Sequence, residues 1–120
     1  IETQEGASGL PWTGHLSISW SSPESDPGHF FNVVPNLLPL EELKVGNVFK
    51  IKYSIVNDAE YHELAISNIN WDEPYFVRTN VSEAGELEFE ITQEIYDNIQ
   101  STGGFIIIGH GYYLDMVSVQ

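Results

Sequence analysis

Charged and apolar residues alternate without a break across residues 86–91. Glu86, Glu88 and Glu90 fall on one side, Leu87, Phe89 and Ile91 on the other. A period of two is the repeat of an extended strand with one face in water and the other in a core. Residues 48–55 follow the same rule, with Phe49, Ile51, Tyr53 and Ile55 inward and Lys50, Lys52 and Ser54 outward. A helix would scatter both sets around its axis. Further strands are expected at 15–20, 30–34, 61–69, 75–81 and 112–119. Phe105-Ile106-Ile107-Ile108 has no alternation at all, which predicts a central strand covered on both faces.

The connections between these runs are built from turn residues. Residues 21–29 (SSPESDPGH) form a loop by composition, and 35–43 is too broken by proline for more than one helical turn. Gly109-His110-Gly111 is expected to turn the chain between two last strands. One helix is predicted, opening at Thr92 as N-cap, with Ile95 and Ile99 a turn apart and Ser101-Thr102-Gly103-Gly104 ending it. Ile91 and Tyr96 have the spacing of a hydrophobic staple. About eight short strands with turns every ~8–12 residues specify an all-β fold, a β-sandwich of the jelly-roll kind with one short helix before the penultimate strand. Residues 1–9 read as a linker or disordered terminus, and 10–120 as a single module.

Charge narrows the partners. Four Lys and Arg stand against eighteen Asp and Glu, a net charge of −14 over 120 residues. Such a surface repels phosphate backbones and anionic lipids, so nucleic acid and membrane insertion are not expected, and neutral ligands remain. The absence of cysteine rules out disulfides, zinc–thiolate sites and thiol chemistry. The opening residues lack the basic and apolar run of a signal peptide, so the chain is expected to begin after any leader.

Several segments, in order, are Trp12-Thr13-Gly14, Leu43-Lys44-Val45-Gly46-Asn47, Asn70-Trp71, Phe89-Glu90-Ile91-Thr92 and Gly104-Phe105-Ile106-Ile107-Ile108-Gly109-His110-Gly111. Together they resemble the small jelly-roll modules, galactose-binding-like in shape, that accompany glycoside hydrolases and surface glycan-binding proteins of Bacteroidetes. The similarity runs from Leu10 to Val119 and is most specific from Phe89 onward. It implies a secreted, cell-surface or periplasmic accessory module, monomeric, joined covalently to a catalytic domain and binding glycan without breaking it.

Sugar recognition needs flat aromatic faces for the C–H faces of pyranose rings and planar polar groups for hydroxyls. Trp71, in the polar setting Asn70-Trp71-Asp72-Glu73-Pro74, is the leading candidate, with Tyr75 and Trp20 beside it; Trp12 is expected to pack. Asn68, Asn70, Asp72 and His110 are the expected polar partners. Parity raises a conflict. If the strand runs straight past residue 69, Asn68 and Asn70 share one face and Trp71 takes the other.

No catalytic constellation is present. The regular outward row of glutamates is a solvated face, no Gly-x-Ser-x-Gly elbow occurs, and the four histidines lack ligand spacing. No cofactor is required. A structural calcium is an option at the loop carboxylates Asp26, Asp58, Asp72, Glu73 and Asp115. The function expected is a non-catalytic carbohydrate-binding module for a neutral plant polysaccharide (β-glucan, xylan or mannan). The alternative is a structural spacer that binds no sugar.

Overall fold

The computed structural model describes residues 12–21, 23, 25, 26, 28–34, 36–72 and 75–119. The expected linker at 1–9 lies outside these residues. The chain is mostly β, as the alternating patterns require. Its strands are β1 (Trp12–Ser19), β2 (Phe31–Val34), β3 (Val48–Ile55), β4 (Glu63–Asn68), β5 (Val77–Asn80), β6 (Gly85–Glu90) and β7 (Phe105–Val119). A 3₁₀ turn at Leu40–Glu42 falls in the proline-broken segment, and a helix, α1 (Gln93–Thr102), precedes β7. No helix among the described residues is long and apolar enough to cross a membrane.

All pairings are antiparallel, and they form one sheet in the order β5-β4-β7-β3-β6, with β1 and β2 also paired to β7. The N-terminal half of β7 pairs with β4 and β2, and its C-terminal half pairs with β3 and β1. The sheet curls around this one long strand. Here the expected turn is corrected: Gly109-His110-Gly111 lies inside β7, so among the described residues seven strands replace the eight expected and the helix precedes the last strand. The two glycines bend the strand instead of reversing it. Gly109 has φ 140° and Gly111 φ 80°, and a Cβ on either would sit 2.1 Å from Glu63 O or 2.2 Å from Tyr61 O. Gly111 is also the extra residue of a bulge, because Ile18 pairs with Tyr112 and Ser19 with His110.

The main core lies on one face of the curl. Phe49 and Ile51 of β3, Phe89 of β6 and Phe105 of β7 are buried there, as period-two patterning predicts. Phe49 and Phe89 meet Phe105 edge-on, at centroid distances of 5.0 and 5.4 Å. Each such ring contributes roughly 1.5–3 kcal/mol through burial. Trp12 tilts against Phe31 at 4.6 Å and packs on this core, the structural role expected of it. On the outer face Lys50 stands opposite Glu88 and Lys52 opposite Glu86. The glutamates leave edge strand β6 charged, which discourages pairing with another chain. Thr92 caps α1, its hydroxyl accepting from Ile95 N at 3.3 Å.

Tyr112 is wholly buried, and its hydroxyl donates to Ile108 O at 2.9 Å. Burial raises its pKa well above the ordinary value of 10.0. The unfolded phenol therefore loses its proton first. Its contribution to stability is complete below about pH 10 and is lost as pH rises toward the folded value, at ~1.4 kcal/mol per pH unit. Urea midpoints measured between pH 9 and 11 should show this decline in the wild type, and a shallower one in Tyr112→Phe.

Candidate functional site

The non-alternating run in β7 does have a second covered face, and the residues covering it form the candidate site. Ile106, Ile108 and Ala65 are buried there, with Trp20, Ile69, Trp71 and Tyr75 packed over them. Register explains the grouping. Ala65 of β4 lies opposite Ile108 and Arg78 of β5 lies opposite Ala65, so the three share the face turned away from the main core. The three aromatic side chains singled out in the sequence thus come together on one floor.

Trp20 follows β1 directly, and its backbone N–H still bonds Gly109 O at 2.7 Å. Its indole Nε1 donates to the Tyr61 hydroxyl at 2.7 Å. Tyr61 stacks on His110 with centroids 4.4 Å apart and planes at 24°. His110 Nδ1 and Ser19 Oγ lie 2.9 Å apart in a hydrogen bond. On the other side the Arg78 guanidinium lies 5.6 Å from the Trp20 ring centre and 5.5 Å from that of Tyr75, and it is ion-paired to Glu63. A cation between two rings holds both orientations at a gain of ~0.5–1 kcal/mol at an exposed site.

Trp71 reaches the same floor by an unusual backbone. Among the described residues it is the only non-glycine with positive φ, at 62°. A left-handed conformation costs a residue with a Cβ roughly 1–2 kcal/mol. The strand ends at Asn68, and Trp71 N bonds back to Asn68 O at 3.1 Å. This turn resolves the parity conflict, since residues 69–71 no longer alternate across a sheet. His29 (5.5 Å) and Phe30 (6.5 Å, edge-on) flank the indole. Phe30 and Tyr61 are 39% and 43% exposed, so the aromatic patch is open to solvent.

The polar candidates separate. His110 belongs to the patch. Asn70 is exposed in the turn beside Trp71. Asn68 points into the main-core side and is only 2% exposed. Its Oδ1 accepts from Asn70 N (2.9 Å) and Asp72 N (3.3 Å), while its Nδ2 donates to Asp72 Oδ2 (3.0 Å) and Asn98 Oδ1 (2.9 Å). Asn68 therefore builds the turn that presents Trp71, and all four of its bonds stay within the protein. Asp72 leaves the patch on the helix side. Tyr61, His29, Phe30 and Arg78 join the patch without having been expected there. Among the described residues no three His, Asp or Glu side chains converge as a metal site.

No family model matches this chain, and no curated protein matches it. Among solved structures it is similar to SGBP-B of the Bacteroides ovatus mixed-linkage glucan utilization locus, determined in complex with a mixed-linkage heptasaccharide. The two are 33% identical with a TM-score of 0.77, over 91% of this chain and 28% of that one. The present chain thus spans less than a third of the length of that protein.

Proposed function

We propose that this domain is a non-catalytic carbohydrate-binding module, a β-sandwich of the jelly-roll kind, that takes a neutral β-linked glucan on the patch formed by Trp20, Trp71 and Tyr75. The observation that carries the reading is Trp71 itself. A large aromatic residue is held in a strained left-handed turn on an open floor of rings, and backbone strain of this kind gathers at functional positions. The likeness to a protein solved with a mixed-linkage heptasaccharide supports the same ligand class and favours glucan over xylan or mannan. The net charge of −14 fits an uncharged ligand.

In this reading ring faces stack on the sugar while His110 and Asn70 select hydroxyls, and Asn68 acts by shaping the turn. Binding needs no metal, and the domain works as a monomer at the cell surface or outside the cell. It is one part of a longer protein, where it raises the local glycan concentration for a covalently attached catalytic domain. Affinity falls in the micromolar to millimolar range, since a few stacked rings leave only several kcal/mol after ordering costs.

Affinity electrophoresis through gels containing mixed-linkage glucan, xylan or mannan tests it. The wild type should be retarded by the glucan, equally with and without EDTA. Trp71→Ala should lose at least about tenfold in affinity, or ~1.4 kcal/mol, while remaining folded. Migration of the wild type unaffected by all three polymers would refute glycan binding and leave the spacer reading.

A further inference from the structure

The turn that carries Trp71 has two sides. Trp71 lies on the aromatic patch, whereas Asp72, the next residue, lines a groove together with Tyr75, Phe76 and the start of α1. Tyr75 belongs to both, packing on the Ala65–Ile106–Ile108 floor and forming a wall of the groove. Phe76 and Ile95 supply the remaining apolar wall, and Asp72, Glu94 and Asn98 supply the rim. The groove has a volume of about 400 Å³, within the roughly 300–1,000 Å³ of small-molecule sites.

The chemistry of the rim resembles that of a sugar subsite. Asn98 Oδ1 is held by Asn68, and among the described residues nothing bonds its Nδ2, which leaves a donor at the rim. Asp72 is held through Oδ2 by the same Asn68 amide, so its other oxygen is left to accept. Two exposed carboxylates, Asp72 and Glu94, repel anionic ligands and accept from hydroxyls. A single buried amide therefore fixes both polar groups before any ligand arrives, which reduces the ordering cost of binding.

We propose that the groove beside α1 is a second subsite for the same neutral glycan, which passes over Tyr75 from the aromatic patch and continues along the helix. The proposal rests on the glycan-binding reading and adds to it a direction for the chain and a minimum length for full affinity. Short oligosaccharides fill the patch alone, and longer ones gain from the groove.

Isothermal titration calorimetry with a mixed-linkage β-glucan tetrasaccharide and heptasaccharide separates the two ideas. The wild type should bind the heptasaccharide about tenfold more tightly than the tetrasaccharide. Glu94→Trp fills the groove from an exposed helical position, and Asn98→Asp removes the rim donor while keeping the acceptor for Asn68 Nδ2. Each should abolish the length advantage while leaving tetrasaccharide affinity within about twofold, with thermal unfolding confirming the fold. A length advantage retained in both variants, or absent from a wild type that binds both sugars, overturns the groove and spares the patch. A wild type that binds neither sugar overturns both.

Discussion

Gly109→Ala is expected to destabilise the protein by about 4 kcal/mol, enough to unfold a domain of ordinary stability at modest temperature. Two effects act together. The residue has φ 140°, where a Cβ is strained, and the new methyl would meet Glu63 O at 2.1 Å and the Tyr112 ring at 2.9 Å. The first obstacle is the backbone of a paired strand and cannot rotate away. Gly46→Ala is the natural control: its φ of 97° carries the conformational penalty, but nothing lies within 4 Å of the added carbon. That variant should lose only about 1 kcal/mol. Urea denaturation of the two side by side measures the difference, and equal losses would show that close approach to β4 is not what Gly109 provides.

Asn68→Asp should cost about 3 kcal/mol and lower Tm by roughly 10 °C or more. The substitution preserves shape and the acceptor for Asn70 N and Asp72 N. It removes both donors, and it sets a second carboxylate where Nδ2 stood 3.0 Å from Asp72 Oδ2. Burial and the neighbouring charge both raise the pKa of the new carboxyl above its unfolded value. The folded variant then holds its proton more tightly, so the deficit against wild type should shrink as pH falls toward about 4. A loss under 1 kcal/mol at neutral pH, or a deficit that does not change with pH, would contradict the role assigned to this amide. The variant should also weaken glycan retardation, although Asn68 is almost completely out of reach of solvent.

Strands bordered by water on one side were readable residue by residue. Phe49, Ile51 and Phe89 are buried where alternation puts them, and the Thr92 cap and α1 follow from local chemistry that needs no distant partner. The Gly109-His110-Gly111 triplet misled for a physical reason. Glycine serves both for reversing a chain and for letting another backbone come close, and only the position of Glu63 and Tyr61 separates the two uses. The missing alternation at 105–108 announced a covered second face without saying what covered it. Trp20 is far in sequence from Trp71 and Tyr75, and their meeting depends on register between β4, β5 and β7. Arg78, His29 and Phe30 join by the same route and leave no local sign. The turn after Asn68 was hidden because a tryptophan at positive φ runs against its own backbone preference.

β7 is the strand on which β1, β2, β3 and β4 all register, and it follows every one of them in the chain. Before it is available for pairing, only β4 with β5 and β3 with β6 can associate. β1 then has to close a loop of nearly the whole domain to find it, the long-range topology that folds in milliseconds to seconds rather than microseconds. The same event creates the floor of the aromatic patch, because Ile106 and Ile108 belong to that strand. If the domain binds glycan there as proposed, a chain in which this strand has not docked has no partly assembled form able to hold sugar. Acquisition of ligand affinity during refolding would then time the docking of this last strand, and the proposed binding surface would double as a readout of completed assembly.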